Sequence, residues 1–291
     1  MKIKSFAKIN LGLEIVRKRP DNYHDILTLF QAINLSDDLE IVPADRPGIV
    51  LEGDLGSIAW DETNLISRAA RLLQDRFDPG RGAQIRVTKR IPPGKGLGGG
   101  SSNAAMTLYA LNALWSLGLE KKALIALGKE LGSDVPYFLE GGFCLGRERG
   151  DAVIPLTDLP PFYCVLAMPP FPVWTAEIYE RCGASLTSEA KDSKIIQFLE
   201  NGDFGFLENA LEKTVFSSYP QLEDLKRFFQ SQGAELSLLS GSGSSVFGLF
   251  RDRQKAETGR KALRAAPSVL VETLTRNEYW ARIRAGVSPS W

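Results

Sequence analysis

The chain has 291 residues, of which 44% are hydrophobic and 24% charged, a composition typical of one large or two smaller globular domains. Its 35 Lys and Arg residues balance 35 Asp and Glu residues, so no general positive field attracts nucleic acid or an anionic membrane. No apolar run approaches the roughly 18 residues of a membrane span, and Lys2, Lys4 and Lys8 interrupt the N-terminus too often for a signal peptide. Three cysteines without metal-like spacing suit a reducing compartment, so we expect a cytoplasmic protein.

The first strand is predicted over residues 3–15, where apolar and polar side chains alternate. Lys8 and Asn10 lie two residues apart and therefore share the polar face. This segment alone leaves open whether that face is solvated or functional. Two further strands are predicted at 27–35 and 39–42, after a turn that contains Tyr23 and His24. By itself, such a Tyr-His pair is more often structural than functional.

A glycine-rich loop follows a short predicted strand at 48–53, a helix from its N-cap Asn64 to Phe77, and a strand at 83–91. A helix from Ser101 to about Leu117 is predicted after the loop. Glycines leave backbone N–H groups uncovered, and the helix start adds the positive end of its dipole. We therefore predict a phosphate-binding loop formed by Pro92, Pro93, Gly94, Lys95, Gly96, Leu97, Gly98, Gly99, Gly100, Ser101 and Ser102.

Other glycine-rich loops fit this sequence less well. A P-loop needs the spacing Gly-x-x-x-x-Gly-Lys-Ser/Thr, which Lys95 does not satisfy. Gly94, Gly96 and Gly99 match the dinucleotide-binding spacing, but a second helix, at 121–131, follows where a parallel strand is needed. His24 is the only histidine, so the His-Arg-Asp loop of a protein kinase is excluded. A flexible surface loop is the remaining alternative.

The end of the first half contains Asp134, which precedes a short helix with proline in its first turn. An aspartate in that position can be a simple N-cap. A hairpin is predicted over 141–156. Prolines at 155–161 then suggest a boundary, which gives predicted domains of residues 1–157 and 158–291.

The second half is predicted to follow a ferredoxin-like order of strands and helices. Its strands are predicted at 162–168, 236–239, 245–250 and 269–275, and its helices at 193–199, 204–213, 221–230 and 254–265. Another helix runs through Cys182, and on it Thr175 and Tyr179 share one face. The glycine-serine turn at 240–244 fits an ordinary hairpin loop by spacing alone.

The segment from Pro92 to Ala105 resembles the ATP-binding motif of the GHMP small-molecule kinases. The sequences at 7–13, 19–25, 132–138 and 240–244 are similar to further segments of that family, in the same order across the whole chain. Phe6, Asn22 and Asp25 depart from the family pattern, which has proline, glycine and glutamate there. The joint match is far more specific than any one motif.

This resemblance implies an α+β, two-domain GHMP kinase fold, with an N-terminal ATP-binding domain and a C-terminal ferredoxin-like domain. It implies ATP and Mg²⁺ as cofactors, with a hydroxyl of Ser101 or Ser102 on phosphate or metal. The catalytic residues that it implies are Lys8 and Asp134. The substrate-binding residues that it implies are Asn10, Tyr23 and His24. Thr175 and Tyr179, which share one helix face, are further candidates, and both tyrosines could instead be core residues. The metal ligands stay unknown, and Lys95 is either solvated or close to a phosphate.

The loop form with three consecutive glycines resembles one member of this family in particular. That member phosphorylates the 2-hydroxyl of a cytidine diphosphate-linked methylerythritol in non-mevalonate isoprenoid biosynthesis, and we expect this activity. A kinase of homoserine or mevalonate type is the alternative, although those substrates carry no nucleobase for Tyr23 and His24 to bind. A non-catalytic binding module is disfavoured because Lys8, Asn10 and Asp134 are all present. We expect a small-molecule substrate, no nucleic acid or membrane partner, and a monomer or weak homodimer.

Overall fold

The fold is built on two β-sheets, each covered by helices. The computed structural model describes residues 1–21, 23–44, 46–77, 80–182 and 193–285. Asn22, one of the departures from the family pattern, lies outside these residues. No helix in the described ranges is long and apolar enough to cross a membrane.

The first sheet has six strands, in the order β3-β4-β2-β5-β6 with β1 paired to β2. Its strands are β1 (Lys2–Lys18), β2 (His24–Ala44), β3 (Gly48–Gly53), β4 (Gly82–Thr88), β5 (Phe143–Arg147) and β6 (Ala152–Pro155). Its helices are α1 (Leu65–Phe77), α2 (Gly99–Leu114), α3 (Lys121–Leu131) and α4 (Val135–Glu140). Asn64 caps α1 as predicted, because its Oδ1 accepts a hydrogen bond of 3.0 Å from the N–H of Ile66.

Strand β2 corrects the prediction of two separate strands. It runs unbroken from His24 to Ala44, antiparallel to β1. The pairing slips where Phe6 opposes Ser36 and Ala7 opposes Ile33, so the chain bulges instead of ending the strand. The bulge lies next to the gap between residues 35 and 39 that the prediction left between the two strands.

The polar face of β1 is buried from Lys8 to Glu14, which excludes a solvated face for these residues. Lys8, Asn10 and Glu14 are 4%, 2% and 2% exposed. The second half of the chain covers them, and the Glu14 carboxylate accepts a hydrogen bond of 2.9 Å from the N–H of Ile195. A polar side chain that is buried yet hydrogen-bonded avoids the cost of losing water.

The second sheet has four antiparallel strands in the order β10-β7-β9-β8, the arrangement expected of a ferredoxin-like domain. Its strands are β7 (Tyr163–Ala167), β8 (Leu236–Leu239), β9 (Val246–Phe250) and β10 (Ser268–Glu272). Its helices are α5 (Thr175–Arg181), α6 (Lys194–Asn201), α7 (Glu212–Ser218), α8 (Pro220–Ser231) and α9 (Arg253–Ala262).

Two helix predictions in the second half differ from the structure. The predicted helix at 204–213 is a 3-10 turn at Phe204–Phe206, and α7 begins only at Glu212. A last helix, α10 (Arg276–Arg284), was not predicted, although Thr275 and Glu278 form a capping box at its start. It packs on the first half, where the Tyr279 hydroxyl donates to the carbonyl of Phe138 at 2.8 Å.

The two sheets share one apolar cluster, in which residues such as Ile9 and Leu29 of the first sheet pack with Phe247 and Leu249 of the second. Burial of this shared surface fixes the halves against each other. The loops at their junction, which carry the glycine-rich segments, are therefore held in place from both sides.

Candidate active site

Two neighbouring cavities lie at the junction of the halves and share Thr175 in their walls. The first, here called the phosphate-loop cavity, has a volume of about 400 Å³. It is lined by Pro92, Pro93, Gly94, Lys95, Gly96, Leu97, Gly98, Gly99, Gly100 and Ser101 of the glycine loop, and by Lys8, Asn10 and Asp134. The second, here called the aromatic cavity, has a volume of about 750 Å³.

The glycine loop has a backbone that only glycine adopts easily. Gly94, Gly96 and Gly98 have φ angles of +67°, +72° and +70°. Gly98 is the N-cap of α2, whose hydrogen bond from Ser102 N to Gly98 O measures 2.8 Å. The N–H groups at 99–101 therefore have no partner within the helix, and they lie where its dipole is positive. This geometry suits a phosphate.

Both halves of the chain hold this loop. A Cβ on Gly96 would lie 1.9 Å from the carbonyl oxygen of Ser240, so only glycine fits against the glycine-serine turn. The Ser240 hydroxyl donates to the carbonyl of Gly96 at 2.9 Å. From the other side, the N–H of Lys8 donates to the carbonyl of Leu97 at 3.1 Å. The turn at 240–244 therefore packs on the phosphate loop, and an independent hairpin loop is excluded.

Lys8, Asn10 and Asp134 form a cluster beside Gly98. Lys8 Nζ lies 2.6 Å from Asn10 Oδ1 and 3.6 Å from Asp134 Oδ2. Asn10 is fixed in turn, because its Nδ2 donates to the Thr28 hydroxyl at 2.8 Å. Burial lowers the pKa of Lys8, and the nearby Asp134 carboxylate partly opposes that effect.

Asp134 precedes α4 but does not cap it through its side chain. The simple N-cap interpretation is therefore wrong for this carboxylate. One third of the side chain is exposed, at 33%, whereas the Lys8 side chain is only 5% exposed. Asp134 thus offers a carboxylate to the cavity with Lys8 behind it.

Lys95 belongs to the cavity wall but is not solvated, and its ammonium group is turned to neighbouring segments. It is 8% exposed, and its ammonium group donates to the carbonyls of Pro169 and Phe171 and to Ser244 Oγ. Ser102 is also turned away, because its hydroxyl donates to the carbonyl of Phe6 at 2.6 Å. Of the two serines after the glycines, Ser101 is the one that lines the cavity.

A buried polar network behind the loop was missed by the sequence analysis. Asp37 is fully buried, and its Oδ1 accepts hydrogen bonds from the N–H groups of Arg90 and Ile91 at 2.7 and 2.8 Å. Its Oδ2 binds Lys89 Nζ and accepts from Asn103 Nδ2 at 3.0 Å. Asp37 therefore joins β2 to both ends of the phosphate loop. The sequence did contain one indication of this network: an acidic residue, Asp37, in the gap between the strands predicted at 27–35 and 39–42.

The aromatic cavity brings together four of the predicted substrate-binding residues: Tyr23, His24, Thr175 and Tyr179. The rings of His24 and Tyr179 lie 5.4 Å apart, centroid to centroid, whereas Tyr23 is 55% exposed. Asn10, the fifth predicted residue, lines the phosphate-loop cavity instead. Thr175 joins the two groups, and its hydroxyl lies 2.7 Å from that of Ser242.

The ionisable groups of this cavity fit a polar aromatic ligand. Burial, followed by the charge of Lys18, lowers the pKa of His24, so its imidazole is neutral near pH 7. A neutral imidazole has one donor and one acceptor nitrogen. Arg149, which the sequence analysis missed, lies with its Cζ 5.3 Å from the centre of the Tyr23 ring. Its side chain is held by Asp151 at 2.8 Å.

No cluster of His, Cys, Asp and Glu side chains in the described part of the chain is arranged to hold a metal ion. The groups that the site does offer are the glycine loop for an anion, the buried cation of Lys8, the accessible carboxylate of Asp134 and the aromatic cavity. Together these groups can bind a polyphosphate and place a hydroxyl between Lys8 and Asp134.

Family models and relatives agree on the class of protein. A model described as the GHMP kinases N terminal domain matches residues 64–142, and one described as GHMP kinases C terminal matches residues 195–269. A protein of Solibacter usitatus (strain Ellin6076) called 4-diphosphocytidyl-2-C-methyl-D-erythritol kinase is 39% identical, over 98% of this chain and 92% of that protein. One of the same name from Syntrophus aciditrophicus (strain SB) is 41% identical, over 90% and 94%.

Solved structures give the same result. A crystal structure of 4-(cytidine 5'-diphospho)-2C-methyl-D-erythritol kinase matches with a TM-score of 0.80 and 34% identity, over 94% of this chain and 99% of that one. A homoserine kinase from Cytophaga hutchinsonii matches with a TM-score of 0.72 but only 20% identity, over 94% and 95%. The second match shows a shared fold.

Proposed function

This chain belongs to the GHMP kinase family, and from that membership and its relatives we propose that it is an ATP-dependent 4-diphosphocytidyl-2-C-methyl-D-erythritol kinase. The reaction transfers the γ-phosphoryl group of ATP to the 2-hydroxyl of the substrate. It belongs to non-mevalonate isoprenoid biosynthesis. Three free and buried cysteines support a reducing cytoplasmic setting.

One observation carries the proposal: a phosphate-binding loop and an aromatic pocket meet at Thr175, with Lys8 and Asp134 beside the loop. A phosphoryl donor in the first cavity and a nucleobase in the second would place the sugar alcohol between them. This arrangement supplies the positioning on which phosphoryl transfer mainly depends.

Each group of the first cavity has a proposed role. The N–H groups at 99–101 and the Ser101 hydroxyl bind phosphate oxygens. Asp134 accepts the proton of the substrate hydroxyl, which is worth about 10²–10⁴ in rate. Lys8 stabilises the negative charge on the attacking oxygen, and Asn10 orients that oxygen and the ammonium group. Mg²⁺ bound to the triphosphate would neutralise part of its charge.

The aromatic cavity is proposed to bind the cytosine. Tyr23 and Tyr179 provide flat surfaces for stacking, which is worth about 1–3 kcal/mol per base. His24 reads the hydrogen-bonding edge of the base. Neither mevalonate nor homoserine has an aromatic ring for this cavity, so it favours a cytidyl substrate over those of the other family members.

The test is ADP release with purified protein, ATP and one of three acceptors: the cytidyl substrate, mevalonate or homoserine. We expect turnover with the cytidyl compound alone, and a new phosphomonoester at its 2-position in ³¹P NMR. Turnover with mevalonate or homoserine and none with the cytidyl compound would overturn the proposal.

A further inference from the structure

Lys95 links three segments that are distant in sequence. It lies in the phosphate loop between Gly94 and Gly96, yet its side chain leaves that loop and reaches residues 169–171 and Ser244. An ammonium group has three N–H donors, and the carbonyls of Pro169 and Phe171 and the Ser244 hydroxyl use all three. Ser244 Oγ also donates to the carbonyl of Phe171 at 2.6 Å, so the glycine-serine turn is bonded directly to residues 169–171 as well.

The segment that Lys95 holds leads directly into α5. That helix begins at Thr175 and carries Tyr179, and both line the aromatic cavity. The segment also touches the loop itself, since a Cβ on Gly94 would lie 3.2 Å from Pro172 Cβ. Phe171 is fixed from behind by Tyr219, whose ring stacks on it at 5.3 Å between centroids.

The charge of Lys95 has only uncharged acceptors. Burial lowers its pKa, and its three partners are two carbonyls and a hydroxyl. A buried cation bonded only to neutral groups leaves net positive charge in the wall of an anion site. Because Lys95 belongs to the wall of the phosphate-loop cavity, the negative charge of an anionic ligand there would favour the ammonium form, and with it the bonds that hold residues 169–171.

We propose that Lys95 is a positioning residue that couples the two cavities, so that a nucleotide on the phosphate loop strengthens binding of the cytidyl substrate against α5. The proposal rests on the proposed function. Coupling is reciprocal, so the cytidyl substrate strengthens nucleotide binding by the same factor. Without the lysine, residues 169–171 would no longer be linked to the phosphate loop. Each ligand would then order only the residues of its own cavity, and the two binding events would become independent.

The experiment measures this factor by calorimetry. The dissociation constant of the cytidyl substrate is determined with and without a saturating non-hydrolysable ATP analogue and Mg²⁺, and the ratio is the coupling factor. We expect about fivefold or more for the wild type. In Lys95→Met, which keeps the stem and removes all three donors, the ratio should fall to about one. The control is Lys122→Met, because Lys122 is exposed and lies outside both cavities. This variant should keep the wild-type ratio.

A wild-type ratio of one, or a folded Lys95→Met protein with the wild-type ratio, would overturn the proposal. Should Lys95→Met fail to fold, Lys95→Gln decides: it removes the charge and the third donor but keeps a polar group of similar length, so a wild-type ratio in it would overturn the proposal. Failure of the proposed function looks different. In that case the wild type neither binds the cytidyl substrate nor phosphorylates it, whereas failure of the Lys95 proposal alone leaves both intact.

Discussion

Lys8 Nζ and Asp134 Oδ2 lie 3.6 Å apart, the lysine almost fully buried and the carboxylate one third exposed. The pair joins β1 to the start of α4, two elements separated by most of the first half of the chain. This difference in exposure fits the two proposed roles. A buried cation acts strongly on charge that develops nearby, and an exposed carboxylate is open to a ligand in the cavity.

Replacing Asp134 by asparagine should separate catalysis from folding. The amide keeps the shape but cannot accept the hydroxyl proton, so kcat should fall about 100-fold or more. Stability should change by no more than about 1 kcal/mol, because Asp134 makes no capping hydrogen bond and its carboxylate in the 3.6 Å pair with Lys8 is one third exposed. Both are measured by steady-state kinetics and urea unfolding.

Asp252→Ala is the matched control. The Asp252 side chain does cap a helix, α9, by accepting a hydrogen bond of 2.7 Å from the N–H of Lys255. Its loss should cost about 1 kcal/mol and leave kcat unchanged. If Asp134→Asn instead lost stability as Asp252→Ala does and kept its kcat, the proposed role of Asp134 as a base would be wrong.

Lys8→Met should lower activity, and it should also change how the free energy of unfolding depends on pH. The pKa of Lys8 is lowered from its ordinary 10.5 by burial. Between the lowered pKa and 10.5, the unfolded chain holds a proton that the folded chain has released. Wild-type stability therefore rises with pH across that window, relative to a variant without this lysine.

The measurement is the free energy of unfolding of both proteins from pH 7 to about pH 11. The free energy of unfolding of the wild type minus that of Lys8→Met should rise with pH. The contributions of all other lysines are the same in both proteins and cancel in this difference. At pH 7, kcat should fall by about 10²–10³, the loss typical of one stabilising donor. A difference that stays flat with pH would contradict the burial of a charged Lys8, and a normal kcat would contradict its catalytic role.

Local patterns predicted the glycine loop and most strands of both sheets, whereas the residues proposed for catalysis and substrate binding came from the family resemblance. Glycine runs, alternation and helix caps act within a few residues. The sequence could not predict that β2 is continuous, since the bulge opposite Phe6 and Ala7 exists only in the pairing with β1. Nor could it exclude a solvated polar face on β1, because the residues that bury Glu14 are about 180 positions away.

The position of a side chain was harder to predict than the motif that contains it. Lys95 and Ser102 belong to the glycine motif, yet their side chains turn to Phe171 and Phe6 in other elements. Asp37 was missed because its partners come from the segment after β4 and from α2. Contacts that cross between elements decide these cases, and a single sequence does not display them.

Gly98→Ala should weaken ATP binding as well as the fold. Gly98 has a φ of +70°, and a Cβ there would lie 2.7 Å from Phe138 Cζ and 3.3 Å from Lys8 Cε. The loop must therefore shift, and the start of α2 with it. We expect the KM for ATP to rise about tenfold or more, which corresponds to about 1.4 kcal/mol.

Gly118→Ala is its control. Gly118 has a similar φ of +66°, but a Cβ there would meet nothing within 4 Å. The left-handed backbone alone costs an alanine about 1–2 kcal/mol, so both variants should lose that much stability. Only Gly98→Ala should lose ATP affinity. Equal KM values for ATP in the two variants would show that the loop does not bind phosphate.

Substitutions in the aromatic cavity test recognition of the cytosine. Tyr23→Ala and Tyr179→Ala should each raise the KM for the cytidyl substrate, since stacking on a base is worth about 1–3 kcal/mol. The KM for ATP should stay constant. Tyr109→Ala is the control, because Tyr109 lines neither cavity and its ring packs 5.2 Å from that of Trp280. A fall in melting temperature without a change in KM would identify a tyrosine as purely structural.

His24 should give the site both its base selectivity and its response to acid. An imidazole that pairs with the edge of cytosine leaves its buried groups unpaired with uracil, so a uridyl analogue should be a much poorer substrate for the wild type. The pKa of His24 is lowered below 6.5, so the imidazole stays neutral at pH 7 and gains a proton only on further acidification. The KM for the cytidyl substrate should therefore rise as the pH falls through that lowered pKa, because the acceptor nitrogen is lost. The measurement is the KM of the cytidyl and uridyl substrates against pH, in the wild type and in His24→Ala.

In the variant, the preference for the cytidyl over the uridyl substrate and the rise of KM at acid pH should disappear together. If both persist in the variant, other residues recognise the base.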